Sequence, residues 1–120
     1  MAWRVAFTSA DGVYVNQHFG HARYFIIRDI EPDGTSSFLE RREITPVCGS
    51  GDHGAAVLDD VVETLRDCVA VLTAKIGPAP RKRLELAGIT VFEEPAVIEE
   101  AVMKLAAYYR RQTKSKQETR

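Results

Sequence analysis

The sequence predicts a mixed α/β domain, and three observations carry that expectation. The first half contains short aromatic and β-branched runs separated by turn residues, the pattern of antiparallel strands. The second half alternates continuous apolar runs with segments of helical periodicity, the pattern of parallel strands joined by helices. The length of 120 residues, 45% hydrophobic and 28% charged, suits one globular domain whose core needs neither disulfides nor a structural metal.

Each element has a local reason. Trp3 to Ser9 is a compact apolar run closed by the turn signal Asp11-Gly12, and Val13-Tyr14-Val15 is a short extended piece. Tyr24 to Ile30 is a strand by its aromatic and β-branched content. Pro32-Asp33-Gly34 is a hairpin turn, because proline presets φ and glycine accepts a positive φ. Ser37 to Ile44 returns as an antiparallel partner, with Phe38 its expected apolar anchor and the charge density of an edge strand.

Val57, Leu58, Val61, Val62 and Leu65 then recur at helical spacing, with Asp52 the expected N-cap of a helix beginning near His53. Val69 to Ala74 reads as a central strand covered on both faces. Pro80 to Ala87 is a short helix stopped by Gly88, and Ile89 to Phe92 is a further strand. Pro95 opens a helix whose Ile98, Ala101, Val102, Leu105 and Tyr109 form one stripe. The order predicts a mixed sheet of about five strands, three antiparallel and then parallel ones with helical crossovers, the ribonuclease H-like arrangement. Residues 1–110 form the single expected domain, and the polar segment 111–120 is expected to be a disordered tail.

Bulk properties exclude several classes. A formal net charge of −1 argues against non-specific nucleic-acid binding. No apolar run approaches the ~18 residues that span a bilayer. The first residues are too polar for a secretory signal, and two cysteines without a framework suit a reducing compartment, so the expected location is cytoplasmic. Asp11, Asp29, Asp59 and Asp60 do not make the converging carboxylate cluster that two-metal nuclease chemistry needs.

The chemistry concentrates in two glycine-bearing segments. His18-Phe19-Gly20-His21 places two imidazoles three residues apart, and Cys48-Gly-Ser-Gly-Asp-His53 adds a thiol and the third histidine. Imidazole and thiolate bind soft or borderline metals. The second segment leads into a helix N-terminus, where unpaired N–H groups favour an anion. Lys75-Ile76-Gly77-Pro78 follows the Val69–Ala74 strand, where ligands collect at the carboxyl ends of parallel strands. There Lys75 supplies charge, and Gly77 lets the backbone approach a bulky ligand. The three segments are expected to converge on one site. Structural zinc is disfavoured, since neither Cys-x-x-Cys nor His-x(3–5)-His pairs occur. His21 and His53 have the alternative reading of surface residues, and Cys48 that of a small apolar filler. Cys68 reads as core, and Lys82 and Arg83 as a solvated helix face.

The stretch Val15-Asn-Gln-His-Phe-Gly-His-Ala-Arg-Tyr-Phe25 resembles the His-Phe-Gly loop of the dinitrogenase iron–molybdenum cofactor biosynthesis family. That family includes NifX- and NifY-type proteins and the C-terminal domain of NifB. Asp67-Cys-Val-Ala-Val-Leu-Thr-Ala-Lys-Ile-Gly77, with Pro80, Leu84, Gly88 and Ile89, is similar to its strand-and-glycine segment. The resemblance spans residues 3–108. It implies a ribonuclease H-like fold and transient binding of the iron–molybdenum cofactor or its iron–sulfur precursor, with His18 matching the cofactor-binding histidine. It implies a non-catalytic carrier that works between donor and acceptor proteins of nitrogenase assembly. Cys48 and His53 have no counterpart in that motif.

The expected cofactor-binding residues are therefore His18, Phe19, Gly20, His21, Cys48, His53, Lys75 and Gly77, with His18 and Cys48 as metal ligands. The alternative is a general metal–sulfur cluster-binding or regulatory interaction module of the same fold, outside nitrogen fixation. An enzyme with His18 as general base is the weakest reading, because no nucleophile or acid partner stands beside it.

Overall fold

The computed structural model describes residues 2–118, with side chains through residue 112. Seven strands and three helices follow in the order β1 (Trp3–Thr8), β2 (Tyr14–Val15), β3 (Tyr24–Ile30), β4 (Ser36–Glu43), α1 (Gly54–Thr64), β5 (Ala70–Thr73), α2 (Pro78–Leu86), β6 (Thr90–Glu93), β7 (Ala96–Val97) and α3 (Ile98–Glu118). Short 3-10 turns at Phe19–His21 and Gly51–His53 interrupt the loops. The main sheet has the order β4-β3-β1-β5-β6, and β2 pairs with β7 in a separate small ribbon. β1 runs antiparallel to β3 and parallel to β5; β3–β4 is antiparallel and β5–β6 parallel. This is the mixed five-stranded α/β sheet that the sequence predicts. The Val69–Ala74 run forms an interior strand, although β1 is the middle one.

The alternation of side chains along each strand divides the sheet into two cores. Ala6, Phe25, Ile27, Val71 and Val91 face Leu58, Val61, Val62 and Leu65 of the α1 segment and Leu84 of α2. Val5, Phe7, Ile30, Ala70 and Leu72 face Ile98, Ala101, Val102, Leu105 and Ala106 of α3. β1 and β5 are thus covered on both faces, which explains their continuous apolar sequences. Each fully buried Phe or Leu contributes about 1.5–3 kcal/mol by leaving water.

Four local expectations need correction. Phe38 does not anchor β4 but is 60% exposed. β4 is the sheet edge, and among the described residues neither core takes a side chain from it. Asp52 does not cap α1: it lies in the Gly51–His53 turn, and His53 is the capping residue. Pro95 does not open the last helix, because Ala96–Val97 first pairs with β2 and α3 starts at Ile98. Pro78, rather than Pro80, is the first residue of α2.

α3 continues to Glu118, into the segment expected to be a tail; residues 119–120, and side chains from 113 onward, lie outside the described residues. No helix of the described residues is long and apolar enough to cross a membrane.

Candidate functional site at the carboxyl end of the parallel strands

β1, β5 and β6 run in the same direction, so Thr8, Thr73 and Glu93 mark one end of the sheet. Thr8 and Thr73 are wholly buried there, with their hydroxyls 2.9 Å apart. Both hydroxyls donate to the Gln17 carbonyl, at 2.9 and 3.2 Å, and the Ala74 N–H reaches the same oxygen at 3.2 Å. The residue before His18 is therefore held by two strands at once. The signal in the sequence was a threonine closing each of two apolar strands, which periodicity alone reads as ordinary strand termini.

From this clamp the chain runs beside the β5 exit. His18 makes a parallel β-bridge with Lys75, and the Phe19 N–H donates to the Lys75 carbonyl at 2.8 Å. The Phe19 side chain turns inward, fully buried, with its ring 5.7 Å from that of Phe25. Its ring anchors the loop from beneath, and its amide is already bonded. With Phe19 held inward, His18 and His21 are exposed, and their rings lie 6.0 Å apart.

The Cys48 segment joins this loop through Gly20. The Cys48 N–H donates to the Gly20 carbonyl at 2.8 Å, and a Cβ at residue 20 would collide with Cys48 Sγ. Glycine here allows the close approach of the Cys48 sulfur; any other residue would have to turn that exposed side chain aside. Cys48 is an exposed free thiol, so its sulfur lies over the loop between the two histidines while still facing solvent. Main-chain bonds thus bring the His18, Cys48 and Lys75 segments together. His53 is exposed at the start of α1, with no described contact to the His18 loop. Among the described residues, no three His, Cys, Asp or Glu side chains lie close enough to enclose a metal ion.

The turn after β5 is braced from β6. Glu93 accepts from the Ile76 N–H at 3.0 Å and from Arg81 at 2.9 Å, and these donors hold its carboxyl below the usual range. Gly77 caps α2 with φ −76°, a conformation open to any residue, and it is exposed. Pro78 and Pro80 remove two amide donors from the first turn of α2, which limits anion binding by that helix end. Lys75 is exposed, whereas Arg83 is paired with Asp59. An apolar groove of about 600 Å³ between α1 and α2 begins at Val47, Gly54 and Pro80 and runs to the exposed Leu86.

The model of the family described as dinitrogenase iron–molybdenum cofactor matches residues 1–108. The chain belongs to this family.

Among members of similar sequence, the FeMo cofactor biosynthesis protein NifB of Frankia alni is 42% identical over 103 residues, covering 83% of this chain and 20% of that protein. The NifB protein of Azotobacter vinelandii is 37% identical over 116 residues, covering 92% and 22%. The chain spans about a fifth of the length of these curated relatives. The apo form of the orange protein from Desulfovibrio gigas shares the fold, with a TM-score of 0.62 at 18% identity over 88% of each chain. In this dinitrogenase cofactor family member, the paired histidines and Cys48 lie exposed together at the strand end.

Proposed function

We propose that this protein binds and carries the iron–molybdenum cofactor, or its iron–sulfur precursor, during nitrogenase cofactor assembly, without catalysing a reaction on it. The cluster is cargo, received from a donor protein and passed to an acceptor in the cytoplasm. His18 supplies the principal ligand, Cys48 a second soft donor, and His21, Lys75 and the Gly77 turn surround the cluster. His53 stands further out, at the start of α1.

One observation supports this role above the others. An exposed His18 stands on a loop pinned by main-chain bonds to Lys75 and Cys48, with Phe19 buried beneath it. The donors are therefore presented by a fixed backbone yet remain open to solvent. An open set of one or two ligands suits a carrier, because a closed four-ligand cage retains its metal. The Lys75 ammonium complements the negative charge of a metal–sulfur cluster.

The test is anaerobic titration with isolated cofactor and, separately, with a simple iron–sulfur cluster, followed by visible absorption and metal content. Wild-type protein should bind the isolated cofactor or its precursor saturably, and His18→Ala should lose at least about tenfold in affinity while remaining folded. Equal affinity in folded His18→Ala removes the role assigned to His18. Saturable binding of the simple cluster alone would favour the general cluster-binding alternative.

A further inference from the structure

We propose that a recess on the far side of His21 binds a small organic acid through its carboxylates, with Arg23 as the principal ion-pairing group. The recess has a volume of about 240 Å³ and is lined by Ser9, Ala10, Gln17, His21, Arg23 and Tyr24. Among the described residues, no carboxylate lines it. The nearby Asp11 is already engaged, its Oδ1 accepting from the Val13 and Tyr14 N–H groups at 2.9 Å and from the Ser9 hydroxyl at 3.2 Å.

Arg23 differs from most arginines of this chain. Arg4, Arg28, Arg41, Arg42, Arg66, Arg81 and Arg83 each pair with a carboxylate. Arg23 is exposed and, among the described residues, has no such partner. Its backbone is nonetheless fixed, since its carbonyl accepts the Ile44 N–H at 2.9 Å. The Gln17 carbonyl is fixed by Thr8 and Thr73, and the Tyr24 hydroxyl donates to the Ala10 carbonyl at 3.0 Å. The walls are therefore set before a ligand arrives, which lowers the entropic cost of binding.

The same surroundings select the ligand class. The Arg41 guanidinium covers the Tyr24 ring at 4.7 Å, so that face is closed to a nucleobase. Main-chain amides around the recess are already taken: Ala10 by Asn16, Gly12 by Ser9 and Ala22 by Phe19. A nest of free amides of the kind that cradles phosphate is thus lacking among the described residues. The remaining donors are a guanidinium, an imidazole and a side-chain amide. A planar carboxylate fits the guanidinium fork in bidentate fashion. His21 and Gln17 can then take a second carboxylate of a short diacid. This site goes beyond the carrier role and does not depend on it.

The experiment is titration of the full chain with succinate, followed by NMR shifts of His21 and Gln17, with succinamide and inorganic phosphate as comparison ligands. Succinate should produce saturable shifts, and the uncharged succinamide should produce none. Arg23→Gln should weaken succinate binding about tenfold or more, whereas His18→Ala should leave it unchanged whether or not that variant still takes up a cluster. Arg23 is exposed, so its variant folds, and an unchanged unfolding midpoint verifies this. Unsaturable succinate shifts, equal binding by Arg23→Gln, or loss of binding in His18→Ala would each overturn the site. Phosphate binding as tight as succinate would overturn the carboxylate assignment.

Discussion

Cys48 Sγ sits so close over Gly20 that residue 20 has no room for a Cβ. This contact joins the two donor-bearing segments of the chain and sets where the thiol lies relative to His18 and His21.

Gly20→Ala is therefore expected to force the exposed Cys48 side chain off its present rotamer, at a cost of about 0.5–1.5 kcal/mol. Cys48→Ala placed on top of it should recover most of that loss, because the Cys48 Cβ would lie at an ordinary 3.5 Å from the new methyl. Denaturant unfolding of the two single variants and the double variant measures this coupling. Additive losses would mean that the sulfur is not the colliding atom.

His18 and Phe19 are adjacent and should behave oppositely. Phe19→Ala removes a fully buried ring and should cost about 3–5 kcal/mol. His18→Ala removes an exposed side chain and should change stability by no more than about 0.5 kcal/mol. Unfolding midpoints in urea compare the two directly.

The threonine clamp predicts a dynamic effect. Thr73→Val removes, in a buried setting, a hydroxyl that donates to the Gln17 carbonyl and accepts from Thr8, at a cost of about 1–3 kcal/mol. The His18 loop should loosen in consequence, so the Phe19 and Ala74 amides, bonded to Lys75 and Gln17, should exchange faster with solvent. Unchanged protection at both amides would show that the strand pairing alone holds the loop.

Cys68 and Cys48 should differ in reactivity and in their effect on alkaline stability. Burial, reinforced by the Asp67 charge, pushes the Cys68 thiol up to about 12 from 9.0. The folded protein therefore retains a proton there that the unfolded chain releases, so stability should fall as pH rises from about 9 to about 12. Cys68→Ala should flatten that part of the profile while lowering overall stability through a small cavity. At neutral pH a thiol reagent should label the exposed Cys48 and spare the buried Cys68 in the folded protein. Equal labelling of both would contradict the core position of Cys68.

Much of the fold was legible because its signals are local. The run at Val69–Ala74 carried the mark of a strand covered on both faces, and the spacing of Leu58, Val61, Val62 and Leu65 that of a helix face. Asp11-Gly12 and Pro32-Asp33-Gly34 marked turns, and Gly12 and Gly34 do take positive φ. The errors fell where a neighbour distant in sequence decides the outcome. Phe38 is exposed because its strand is at the edge, and Ala96–Val97 is extended because β2 offers it a partner.

The sequence by itself determined the element types and the segments rich in metal-binding side chains. These follow from residue chemistry and from periods of 2 and 3.6 residues, both readable within a short window. Only the tertiary structure decided that Phe19 points inward while its histidine neighbours face solvent, that Thr8 and Thr73 clamp Gln17, that Gly20 makes room for Cys48, and that Arg23 lacks a carboxylate partner among the described residues. Those outcomes depend on the register between strands some 65 residues apart, as between Thr8 and Thr73. No local window contains both partners.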